Sequence, residues 1–120
     1  MSNPNKAKGT RWETDVVNYL REIGGLHVVK PRQEGAQDIG DIHVCNYRGI
    51  TVIQAKNWAS WESAIREGLD GAVKQAAALS HTAPLGTEPF PVAVVKRARK
   101  STGEAYVVTR LEDFVELLKG

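Results

Sequence analysis

The chain has 120 residues, a 42% apolar share and 16 basic against 14 acidic side chains, so it is short enough for one domain and balanced enough to rule out a disordered tail or a fibre. A lone Cys45 excludes an internal disulfide framework and a cysteine-rich zinc site, and it fits a reducing, intracellular (cytoplasmic) setting. No apolar run approaches the roughly 18–20 residues of a membrane span, and the polar start Met1-Ser-Asn-Pro-Asn-Lys does not read as a signal peptide.

The net charge of +2 hides local unevenness. Lys96-Arg97-Ala98-Arg99-Lys100 places four cations in five residues, and Lys6, Lys8 and Arg11 cluster near the start. Such clusters either contact phosphates or serve as solvated loops that keep a protein soluble.

In chain order, residues 1–9 lack periodicity and are expected to form a flexible arm, leaving 10–120 as the folded domain. Thr10-Arg-Trp-Glu13 has the capping-box form, a hydroxyl at the cap and a glutamate three residues on. Trp12, Val16, Val17, Tyr19, Leu20 and Ile23 follow at largely helical spacing, and Gly24-Gly25 stops the run. Leu26–Lys30 is a short strand ending before Pro31, and 32–38 is polar and loop-like. Asp41–Cys45 and Ile50–Lys56 are β-rich runs joined by the turn-type link Asn46-Tyr-Arg-Gly49, which predicts a hairpin.

Trp61–Leu79 reads as a long helix with Ile65, Leu69, Val73, Ala76 and Ala77 on one face; Gly68 and Gly71 within it weaken it locally or mark close packing. A proline-bearing loop spans 81–91, strands are expected at Pro91–Lys96 and Ala105–Thr109 on either side of the basic run, and Leu111–Leu118 closes the chain as an amphipathic helix. The order α-β-β-β-α-β-β-α predicts an α/β (α+β) fold, a mixed sheet with helices on its faces.

The hairpin permits a geometric step. Pairing Asn46 with Gly49 across a two-residue turn sets Asp41 opposite Gln54, where Cβ atoms on one sheet face lie about 4.5–5.5 Å apart. Lys56, two positions beyond Gln54, leaves from the same face. The opposite face carries Ile42, Val44, Ile53 and Ala55, which belong to a core.

An acid, an amide oxygen and an ammonium on adjoining strands suit hydrolysis of a phosphodiester. Asp41 is a hard oxygen ligand of the kind Mg²⁺ (or Mn²⁺) takes; Gln54 can add its side-chain carbonyl and Ala55 its main-chain carbonyl. Such an ion polarises the phosphate and lowers the pKa of a bound water. Lys56 can hold or help deprotonate the attacking water and offset charge in the transition state.

Asp41, then Gln54-Ala55-Lys56 thirteen residues later, with Glu13 on the first helix, resembles the PD-(D/E)xK nuclease superfamily, and within it the small Holliday junction resolvases of archaeal type and their phage-encoded relatives. The resemblance covers the first helix, the strand at 26–30, the hairpin and the long helix. It implies a restriction-endonuclease-like fold and a metal-dependent, homodimeric endonuclease whose two sites cut a four-way DNA junction in recombination and repair. Asp41 matches the metal-binding aspartate, although Gly40 and not proline precedes it, and Lys56 matches the catalytic lysine. Glu13 matches the first-helix acid that contacts the metal.

Gln54 departs from the pattern, which usually has Asp or Glu there; some members of the superfamily are similar to this chain in using glutamine. Asp38 and Glu34 in the adjoining loop are candidates to supply the missing charge. The implied basic DNA-binding surface would draw on Arg11, Lys30, Arg32, Arg97, Arg99 and Lys100.

Several of these residues have a second reading. Glu13 also fits as the capping partner of Thr10, and Asp41 and Lys56 also fit as exposed strand ends. His43 and Cys45 share the Asp41 face but are read as structural, because two residues do not close a zinc site. Gln75 is read as helix surface, with phosphate contact as the alternative. Trp58 and Trp61 are read as packing at a helix start, with stacking on a base as the alternative. Restriction-like or repair cleavage of linear duplex, and a non-catalytic DNA-binding module on a decayed nuclease fold, stand as alternative functions.

Overall fold

Pro4 opens the first helix, where a missing N–H costs nothing and the ring presets φ. The computed structural model describes residues 4–30, 41–46, 49–80 and 89–119, and in it α1 spans Pro4–Glu22. The helix therefore starts well before Thr10, and residues 4–9 are its first turns and not a flexible arm. Thr10 is interior: its carbonyl accepts a bond from the Thr14 hydroxyl at 3.0 Å, so the capping box with Glu13 does not form. The helix is closed off just beyond Glu22 by Gly25, whose φ of 62° is the left-handed conformation glycine tolerates, and the Leu26 N–H reaches back to the Leu20 carbonyl.

Five strands form one mixed sheet in the order β1 (His27–Val29), β2 (Asp41–Asn46), β3 (Gly49–Lys56), β4 (Phe90–Val95) and β5 (Tyr106–Val108). β3 and β4 are parallel and joined through α2 (Trp61–Ser80); the other neighbours are antiparallel. A short 3₁₀ turn (Thr102–Glu104) precedes β5, and α3 (Leu111–Lys119) ends the chain. The fold is thus α+β in the order α-β-β-β-α-β-β-α. Among the described residues no helix is long and apolar enough to cross a membrane.

The hairpin register pairs Asn46 with Gly49 and Asp41 with Gln54, as the turn length predicts. Strand alternation then sorts the side chains. Ile42, Val44, Ile53 and Ala55 face α1 and close over Trp12, Val16 and Val17. Trp12 is 1% exposed and donates its indole N–H to the Val94 carbonyl at 3.3 Å. On the other face Val52 packs under Ala72 and Ala76 of α2.

The buried stripe of α2 is Ala64, Gly68, Ala72 and Ala76; Ala76 is buried as expected, whereas Ile65, Leu69 and Val73, each one position further on, are half-buried flanks and Ala77 is exposed. A helix lying close to a sheet places its smallest residues on the line of closest approach and its larger ones beside it. In α3 no residue is buried, and Leu111, Phe114, Val115 and Leu118 present an exposed apolar face.

Candidate active site and nucleic-acid interface

The β2–β3 ladder sets Asp41 directly across from Gln54, with Lys56 two positions further along the same face. That face lies beneath α2. A Cβ at Gly68 would stand 3.2 Å from Lys56 Cγ and from Ala93 Cβ, and one at Gly71 would stand 3.5 Å from Gln54 Cδ. Glycine at these two positions lets the helix cross low over polar side chains, holding Gln54 and the aliphatic stem of Lys56 half-buried. The ammonium emerges at the strand end, 5.1 Å from the centre of the Trp58 ring. The Lys96 N–H bonds the Lys56 carbonyl at 3.0 Å, so the carboxyl ends of the two parallel strands are tied together there.

The other predicted residues are distributed differently. The backbone of Asp41 is described within β2, whereas its side chain, with Arg32, Glu34 and Asp38, lies outside the described residues. Glu13 is not on this face. Its helix packs against the Ile42–Ala55 side, and its carboxylate, 17% exposed, pairs with Lys30 at 3.1 Å. Glu13 and Lys30 therefore neutralise each other, although Lys30 remains 41% exposed. Gln75 is half-buried one helical turn beyond Gly71, on the stripe that faces Gln54.

His43 sits two positions along β2 from Asp41 and opposite Val52. Its Nε2 is buried without a hydrogen-bond partner, and burial lowers its pKa from the usual 6.5, favouring the neutral ring. Cys45 is a half-buried free thiol.

Among the described residues no three His, Cys, Asp or Glu side chains gather as a metal cluster. By residue type and register, this face would offer a carboxylate from Asp41, an amide oxygen from Gln54 and a main-chain carbonyl from Ala55. This all-oxygen set with a single acid does not fit zinc. It fits Mg²⁺ or Mn²⁺, which bind through one or two carboxylates and complete their shell with waters and substrate phosphate.

The basic run forms the turn after β4. Arg97 lies over the Tyr106 ring at 4.7 Å and donates to the Glu104 carbonyl at 3.4 Å. Arg99 holds the tight turn with φ of 63°, and Arg99, Lys100 and Arg11 are exposed. The Glu104 carboxylate accepts bonds from the Ser101 N–H at 3.0 Å and hydroxyl at 3.1 Å.

Trp58 and Trp61 are not packing residues at a helix start: they are 39% and 62% exposed. With Tyr106 and Lys96 they form an aromatic and basic neighbourhood next to Lys56. Its sequence signal was the pair of tryptophans immediately after the Gln54-Ala55-Lys56 run. Comparison with protein-family models, with curated proteins and with solved structures gave no match.

Proposed function

We propose that this protein is a divalent-metal-dependent DNA endonuclease of the PD-(D/E)xK type that cuts branched DNA, with the four-way junction as its preferred substrate. The reading is carried by one observation: Asp41 and Gln54 are paired across the β2–β3 ladder, with Lys56 on the same face and its ammonium at the solvent edge. A bound Mg²⁺ or Mn²⁺ would polarise the scissile phosphate and acidify water. Asp41 and Gln54 supply oxygen donors on adjoining strands. Lys56 orients the attacking water and offsets the negative charge that builds on the phosphate oxygens as the new P–O bond forms and the old one breaks. The leaving oxygen takes its proton from solvent. Arg11, Arg97, Arg99 and Lys100 bind flanking phosphates.

The exposed apolar face of α3 supports a homodimer, since contiguous exposed apolar surface marks association, and two sites are required to resolve a four-way junction by paired cuts. A reducing intracellular setting accords with the single free cysteine.

Cleavage of a labelled four-way junction in Mg²⁺ or Mn²⁺, in competition with flap and linear duplex, tests the substrate. Preference for the junction is expected, and preference for linear duplex would replace the resolvase reading with a restriction-like or repair nuclease. Gln54 favours a second reading, a DNA-binding module on a decayed nuclease site, because an amide brings no charge to a cation. Calorimetry decides between them: metal binding by wild type supports the nuclease, whereas binding that appears only in Gln54→Glu supports decay.

A further inference from the structure

Past the carboxyl ends of β3 and β4 the chain opens a groove of 840 Å³ between the segment leading into α2, the basic turn and β5. Its volume lies in the range of about 300–1,000 Å³ found for small-ligand sites, room for a few bases and not for a long tract. Trp58, Trp61 and Tyr106 line it. Exposing two tryptophans and a tyrosine together leaves a large apolar area in water, which marks a binding surface.

The charge around the rings is one-sided. Lys96, Arg97 and Lys100 line the groove from the turn and Lys8 from α1, and among its described lining residues none is acidic. The nearby Glu104 carboxylate is engaged by its own turn through Ser101. The groove adjoins Lys56 through Trp58, whose ring centre is 5.1 Å from the Lys56 ammonium. Flat π-faces interleaved with cations are the complement of a strand whose bases are unpaired and whose phosphates run alongside. A duplex does not fit this chemistry, because its base faces are already covered by their neighbours in the stack.

We propose that this groove binds single-stranded DNA, stacking unpaired bases on Trp58 and Trp61 and holding the linking phosphates on Arg97 and Lys100. The proposal rests on the nucleic-acid part of the function above and not on hydrolysis. It supplies a reason for choosing branched DNA: unpaired bases at a branch point or flap are available for stacking, while those of intact duplex are not.

The test is a titration of the full chain with an oligothymidylate in EDTA, read by intrinsic tryptophan fluorescence. Trp12 is buried, so Trp58 and Trp61 carry the response. Saturable quenching is expected. Trp58→Ala and Trp61→Ala should each weaken binding by about fivefold or more, and Trp61→Phe should retain most of it. Arg97→Ala with Lys100→Ala should flatten the salt dependence by about 0.7 per lost phosphate contact.

An abasic oligomer of equal length, offered to wild type, keeps the phosphates and removes the bases, and it should bind more weakly. Equal affinity for the abasic strand, no binding of the thymidylate, or unchanged affinity in both folded Trp→Ala variants would overturn the proposal. Thymidylate binding without metal-dependent cleavage would support the groove and sink the nuclease. Junction cleavage without thymidylate binding would sink the groove and leave the nuclease standing.

Discussion

Toward α1 the sheet presents Ile42, Val44, Ile53 and Ala55, and the helix answers with Trp12, Val16 and Val17. Toward α2 it presents Val52, Gln54 and Lys56, and the helix answers with alanines and glycines. One interface is filled with large apolar side chains and stabilises the fold. The other is kept shallow by small residues, so that the Gln54 amide fits beneath Gly71 and the Lys56 stem beneath Gly68. Large residues on α2 would have displaced the polar pair; small ones leave them in place at the expense of apolar area. The large apolar core and the polar pair thereby occupy opposite faces of the same strands.

Changing one face at a time breaks this comparison. The largest effect should come from Lys56→Met, which keeps the stem under Gly68 and removes the ammonium: cleavage should fall by about 10²–10³-fold while the denaturant midpoint hardly moves. Trp12→Ala should do the reverse, costing about 3–5 kcal/mol in urea unfolding while the fraction still folded binds DNA normally.

Finer changes probe the gap under α2. Gly68→Ala puts a methyl 3.2 Å from both Lys56 and Ala93, and overpacking of about 1–3 kcal/mol should outweigh the helix-propensity gain, lowering the melting temperature. Gly71→Ala meets Gln54 at an ordinary 3.5 Å, so the propensity gain of up to about 1 kcal/mol should prevail and raise it. Opposite signs at neighbouring glycines would sharpen the account of how close the helix lies; equal signs would blunt it.

The smallest effect is in pH. His43 binds its proton less readily folded than unfolded, so in EDTA stability should decline as pH falls below about 6.5 and be flat above it. His43→Leu should remove that part of the slope, measured by urea unfolding at successive pH values.

Much of this arrangement is readable from residue order. The Asn46–Gly49 turn fixes the register, and period-two alternation follows from it, which is why the sequence alone groups Asp41, Gln54 and Lys56 on one face. Other features depend on packing that spacing does not encode. Thr10-Arg-Trp-Glu13 has the same letters inside a helix as at its start, so a capping-box pattern does not distinguish a start at Thr10 from one at Pro4. Along α2 hydrophobicity ranks Ile65 and Leu69 above Gly68, whereas close approach to the sheet ranks them by size, so the buried line runs through Gly68. The Glu13–Lys30 ion pair joins α1 to the end of β1, a juxtaposition that the sequence does not reveal. Trp58 and Trp61 were read as buried because hydrophobicity is a one-way guide to burial.

The proposed nuclease hydrolyses DNA at the face shared by Asp41, Gln54 and Lys56, with the help of a divalent cation. Its most direct test is cleavage of an end-labelled four-way junction by wild type, Asp41→Ala and Lys56→Met, each in Mg²⁺, in Mn²⁺ and in EDTA, resolved on a denaturing gel. The account predicts discrete cuts by wild type in at least one metal, none in EDTA, and loss of cutting in both variants with their folds intact. Wild type inert in both metals, or variants that cut as well as wild type, would contradict it.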